Sequence, residues 1–164
     1  MKREEIHRES ITEPQEVWAI GDAYSRPEFE DIQDAETGAA MVRFENNAIG
    51  IFVAGRNSTH GYHIETEIIG TKGSIRIGTL PERNQIVLIQ ENGAVKECYD
   101  GFRERFEQAF SSEVEEFAQC ILEGRKPDVT VQDGVESTRL GYACKKSFET
   151  RQLINIQAEQ LVNN

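Results

Sequence analysis

The sequence has no long apolar run, no closely paired cysteines and little positive charge, and each shortage removes a class of function. A membrane-spanning helix needs roughly 20 predominantly apolar residues, and no stretch approaches that. The start, Met1-Lys2-Arg3-Glu4-Glu5, is charged and leads into no apolar segment, so it does not resemble a secretory signal. The three cysteines, Cys98, Cys120 and Cys144, are odd in number and widely spaced, which gives neither a CxxC pair nor a zinc pattern. A reduced, cytoplasmic protein is the expectation. Lys and Arg number 18 against 29 Asp and Glu, a net charge of −11, so nucleic acid and anionic membrane would be repelled at long range. A neutral polyol would not be.

Chemical motifs are also scarce. No GxGxxG follows a strand, no Walker loop is present, and neither GxSxG nor HExxH occurs. Gly70-x-x-Gly73 lies between two expected strands and opens no helix, so it offers no phosphate cradle. The sequence therefore nominates no catalytic residue, no cofactor-binding residue and no metal ligand. His60 and His63 on an extended chain would point to opposite faces, and His7 is distant in sequence.

What is present is ordinary globular material, with 38% apolar and 8% aromatic residues over 164 positions. Residues 1 to about 15 are polar and suggest a tail or a cut linker, and 16–164 are expected to form the domain. Alternation from about 16 to 99 predicts strands. Ala40, Val42 and Phe44 share one face while Arg43 and Glu45 take the other. Glu45-Asn46-Asn47-Ala48 predicts a tight turn, because asparagine tolerates positive φ. Tyr62, Ile64, Thr66 and Ile68 alternate again, Gly70 to Gly73 supply a turn, and a last hairpin bends around Glu91-Asn92-Gly93. The period then changes. Phe102, Phe106, Phe110, Val114, Phe117 and Ile121 recur at steps of three or four, a helical stripe expected to be core, ended by Gly124 and Pro127. A second helix is expected from Asp133 as N-cap, with Leu140, Cys144 and Phe148 inward, followed by a short strand at Leu153 to Ile156.

The fold class is thus α+β: an open, mostly antiparallel sheet with helices on one face. Phe52 and Ile69 fall out of phase with the inward set, so the other sheet face is not simply polar, and a second copy of the chain is the expected cover. The densest polar–aromatic cluster is Gly55-Arg56-Asn57-Ser58-Thr59-His60-Gly61-Tyr62-His63, between two expected strands. Its hydroxyl, amide and imidazole groups suit a polyhydroxylated ligand, although a polar surface connection has the same composition. His63, Glu65 and Glu67 on one strand face suggest a cross-strand charge row.

From Arg56 through Gly73 the sequence resembles the glucose–fructose oxidoreductase/inositol dehydrogenase family. There an aromatic or histidine, a glycine and a tyrosine lead into a strand that ends in a Gly-x-x-Gly turn. Val17-Trp18-Ala19, Asp34 to Phe44, Phe106 to Gly124, and Val129 to Gly134 fit the family's order, so the resemblance covers about residues 16–156. It implies the C-terminal substrate-binding and assembly domain of an enzyme that moves hydride between a polyol or sugar and NAD or NADP. By position, His60 and Tyr62 match residues that reach substrate in inositol-type members, with Arg56 and Asn57 adjacent. The family's nucleotide-binding domain has no counterpart here. Its Asp-x-x-x-His pair has none in Ile6-His7-Arg8-Glu9-Ser10-Ile11 either, so no cofactor is expected on this chain alone. The alternative is a non-catalytic oligomerisation or ligand-binding module of the same descent. A GxGxxG and an Asp-x-x-x-His helix encoded upstream would exclude it.

Overall fold

The computed structural model describes residues 12–78 and 82–157. The tail and His7 therefore lie largely or wholly outside the described residues. The described chain divides into two compact units, one formed by residues up to Asn57 together with those from Val129 onward, the other by Ser58–Asp128.

The first unit is built on four antiparallel strands, β1 (Pro14–Asp22), β2 (Thr37–Phe44), β3 (Ile49–Gly55) and β8 (Ile154–Asn155). They form one sheet in the order β3-β2-β1-β8, covered on one face by a long helix. The single-turn helix α1 (Glu28–Asp31) lies between β1 and β2. The turn from β2 to β3 forms at Asn47, whose φ is 63°, as the asparagine pair predicts. Strand alternation turns Val17, Val42 and Phe44 toward helix α4 (Val131–Thr150), where they meet Ala143, Ile154 and Ile156 in the core. Leu140 and Cys144 pack at its margin. Ala143 and Ser147, one helical turn apart, are fully buried, so the helix lies close to the sheet. The Ser147 hydroxyl accepts the Ala19 N–H at 2.9 Å and donates to the Gln152 carbonyl at 2.6 Å.

The start of α4 differs from expectation by a few residues. Thr130 is the N-cap, and Asp133 is the third helical residue of a capping box. The Thr130 N–H and hydroxyl both donate to Asp133 Oδ2 at 2.7 Å. The earlier start follows from Thr130, which satisfies the first-turn donors as well as Asp133 would.

The second unit carries two antiparallel ribbons, β4 (Thr66–Gly70) with β5 (Gly73–Ile77), and β6 (Glu82–Gln90) with β7 (Gly93–Cys98). It also carries the short helix α2 (Phe102–Arg105) and the longer α3 (Glu107–Glu123). The expected open, antiparallel α+β character is found, with the strands hydrogen-bonded as one sheet and two ribbons. Gly124 ends α3 in the left-handed conformation at φ 64°, which a side chain would resist. Beyond it, Arg125 clamps Glu116 with both terminal nitrogens, at 2.6 and 3.0 Å, and reaches Glu123 at 2.7 Å.

Two expectations about apolar faces are corrected. The phenylalanine stripe is not core in this chain: Phe117 is 60% exposed and Ile121 66%. Only its first turns find cover, where Phe102 meets Phe110 and both Phe102 and Phe106 meet the Tyr62 ring. The open face of the four-stranded sheet is not made by Phe52 or Ile69. Phe52 pairs with Ala40 and so shares the helix-covered side, and Ile69 belongs to the β4–β5 ribbon. The uncovered face instead carries the rows Trp18–Met41–Ile51 and Ile20–Ala39–Val53.

Candidate functional site

The four candidate residues sit at the end of β3 and in the loop that follows it, split between the two units. Arg56 and Asn57 close the first unit. The Arg56 guanidinium lies over the Phe29 ring at 4.9 Å, and the Arg56 backbone N–H donates to the Glu36 carbonyl. Asn57 Nδ2 donates to the Ser25 hydroxyl at 2.9 Å, and that hydroxyl donates to Glu36 Oε1 at 2.6 Å. The Ser25 N–H holds the other Glu36 oxygen at 2.8 Å. The Ser25 hydroxyl, and after it the Ser25 and Arg26 backbone N–H groups, hold the buried Glu36 carboxyl below its ordinary value against the opposing effect of burial. Arg56 and Asn57 thus have defined structural partners within their own unit.

His60 and Tyr62 open the second unit. The Ser58 hydroxyl donates to the Gly61 carbonyl while the Gly61 N–H returns to the Ser58 carbonyl at 3.2 Å, which makes a tight turn. Gly61 takes φ 103°, a conformation that favours glycine. This turn overturns the expectation that His60 and His63 diverge. The chain is not extended there, and His60 Nε2 stands 3.1 Å from His63 Nδ1. Residues 62–65 also fall outside β4, which begins at Thr66. The reason is that their backbone groups are already engaged. The Tyr62 N–H donates to the Tyr99 carbonyl at 2.7 Å, and Arg105 donates to the carbonyls of Tyr62 and Ile64 at 3.4 and 2.9 Å. The half-buried Tyr62 ring stands edge-on to Phe106 with centroids 6.2 Å apart. His60 is exposed. The expected charges do meet, although only Glu67 lies on β4: Glu65 reaches His63 at 3.5 Å and Arg76 at 3.6 Å, and Arg76 donates to Glu67 at 2.8 Å.

This architecture has known counterparts. The family described as "Oxidoreductase family, C-terminal alpha/beta domain" matches residues 12–156. The chain belongs to this family. Among curated relatives, the scyllo-inositol 2-dehydrogenase (NAD(+)) of Bacillus subtilis strain 168 is 29% identical over 85% of this chain and 41% of its own length. The myo-inositol 2-dehydrogenase of Thermotoga maritima is 30% identical over 88% and 43%. A crystal structure of scyllo-inositol dehydrogenase from Lactobacillus casei, with bound cofactor NAD(H) and scyllo-inositol, superposes with a TM-score of 0.84. It is 40% identical over 88% of this chain and 43% of that one. The chain therefore spans about two-fifths of the length of the relatives it matches.

Neither Gly70–Gly73 nor the N-terminus of α4 in this C-terminal oxidoreductase domain forms a dinucleotide cradle. Gly70 and Gly73 join two hairpin strands, and the N-terminus of α4 is occupied by its own Asp133 carboxylate. A cleft of about 930 Å³ beside β1 went unanticipated from sequence, and Asp22, Glu30, Asp34 and Glu149 line it with Arg151, a charge balance that disfavours phosphate. Among the described residues no group of three His, Cys, Asp or Glu could hold a metal ion. No described helix is long and apolar enough to cross a membrane. The cysteines are free, and burial pushes the Cys120 and Cys144 thiols up, which keeps them protonated. Arg105 is the site residue that sequence reasoning missed. No local pattern connects it with a loop some forty residues earlier.

Proposed function

We propose that this chain is the substrate-facing and assembly part of an NAD-dependent polyol dehydrogenase of the inositol type. The observation that carries the reading is the match to the scyllo-inositol dehydrogenase from Lactobacillus casei, solved with both NAD(H) and scyllo-inositol. The 56–63 loop supports it by presenting imidazole and amide groups suited to hydroxyls. In this reading His60 and Tyr62 contact the polyol, while Arg56 and Asn57 are held within their own unit by Phe29 and Ser25. NAD or NADP is held by residues outside this chain, and the chain alone is not expected to carry out hydride transfer. Residues 16–164 are the working domain in this proposal, and the cytoplasm is its compartment, in keeping with three free thiols.

The uncovered apolar face of the β3-β2-β1-β8 sheet is assigned to a second copy of the chain. Trp18, Met41 and Ile51 form a continuous cross-strand row there, and apolar rows of this kind are rarely left in water. Calorimetric titration of the chain with scyllo-inositol and with NAD tests the substrate reading. Weak binding of the polyol, abolished by His60→Ala, and no heat with NAD are expected. Tight NAD binding, or polyol binding indifferent to His60, would refute it.

A further inference from the structure

The Ser58–Gly61 turn brings two histidines of the second unit together as a pair. His60 Nε2 and His63 Nδ1 face each other at 3.1 Å, with ring centroids 5.1 Å apart and planes at 74°. A neutral imidazole carries one donor and one acceptor, so one of the two facing nitrogens bears the proton that joins them. The rest of the second unit decides which. His63 Nε2, on the far side of the ring, is buried and has no hydrogen-bond partner, and Glu65 Oε2 stands 3.5 Å from it. If His63 carried its proton on Nδ1, the bare Nε2 lone pair would face a carboxylate oxygen. If the proton is on Nε2, a slight closure gives a charge-assisted bond to Glu65. Glu65 is itself held from behind, because Arg76 Nε lies 3.6 Å from Oε1 while its Nη2 donates to Glu67. Among the described residues no third ligand completes a metal site at this pair, and two facing ring nitrogens at hydrogen-bond distance share a proton.

We propose that Glu65 and His63 are positioning residues that hold His60 in its Nε2–H tautomer, leaving the Nδ1 lone pair outward as an acceptor for a ligand hydroxyl. The order of donation is His60 Nε2–H to His63 Nδ1, then His63 Nε2–H to Glu65. This rests on the polyol reading of His60 and sharpens it: the ligand must bring a hydroxyl donor to that nitrogen. An analogue with an ether or hydrogen there would leave the acceptor unpaired.

The test is ring-nitrogen NMR of the full chain at a pH where both histidines are neutral, with long-range proton–nitrogen correlations reporting each tautomer. His60 is expected to favour Nε2–H by roughly tenfold over Nδ1–H, the bias one net hydrogen bond supplies. His63 is expected to carry its proton on Nε2. Glu65→Ala and His63→Leu should lower the ratio to the modest Nε2–H preference of a free histidine. His63→Asn, whose side-chain carbonyl can stand where Nδ1 stood, should restore it. A wild-type His60 protonated on Nδ1, a bias indifferent to all three substitutions, or, where a variant fails to fold, a wild-type ratio no higher than that of a free histidine peptide overturns the proposal. Added scyllo-inositol separates the two readings. A biased His60 whose Nδ1 signal ignores the polyol upholds the chain of donation and refutes the polyol reading.

Discussion

At the scale of residues, a few buried polar groups carry more than their number suggests. Ser147 is wholly buried, and it satisfies one strand N–H and one carbonyl past the end of α4. Ser147→Ala keeps the volume but strands both partners, so a loss of about 1–3 kcal/mol is expected in urea denaturation. Glu36 acts through charge. Its folded carboxyl titrates below the ordinary 4.5, chiefly because of the Ser25 hydroxyl. A depressed carboxyl contributes stability that is complete above its unfolded value and disappears as pH falls through the folded one. Thermal unfolding followed downward from pH 5 should therefore show a decline that Glu36→Gln makes shallower. An unchanged slope in the variant would show that the Ser25 contacts do not hold the charge. The alternation that turns Val42 and Phe44 inward could be read directly from the sequence. The roles of Ser147 and Arg105 could not, because their partners lie 128 and 43 residues away in the chain.

At the scale of elements, most ends were legible because their causes are local. The period of the phenylalanines, the left-handed Gly124 and the positive φ at Asn47 are all written within a few residues of where they act. The capping box of α4 belongs to the same class. Thr130→Ala should cost about 1 kcal/mol, measured by chemical denaturation, with little change in the ligand response of His60. The segment after Gly61 shows the limit of such reasoning. Tyr62 to Ile68 has a strand's alternation, yet Tyr62 and Ile64 give their backbone groups to Tyr99 and Arg105, and the ladder begins only at Thr66. A local pattern cannot show that a distant side chain has already taken the hydrogen bonds.

At the scale of the whole molecule, the uncovered apolar surface is the main unresolved demand on solubility. Trp18, Met41 and Ile51 on the sheet and Phe117 and Ile121 on α3 all stand exposed in a single chain. For the sheet face the expected outcome is a dimer or higher assembly in sedimentation at micromolar concentration. Ile51 is 71% exposed, so Ile51→Lys should yield a folded monomer whose melting temperature, unlike that of the wild type, does not depend on protein concentration. A wild-type monomer would remove the second copy from the proposal. The net charge of −11 opposes this association at long range, so added salt should strengthen it.

By itself the sequence determined the α+β class, the strand and helix periods, the turns and stops, and the family, because each depends on neighbours in the chain or on a run of matched residues. Tertiary structure alone decided that His60 and His63 meet, that Arg105 clamps the loop beneath them, and which apolar stripe is covered. Those outcomes depend on hydrogen bonds and contacts between residues far apart in sequence, and periodicity gives a face its character without saying what will lie against it.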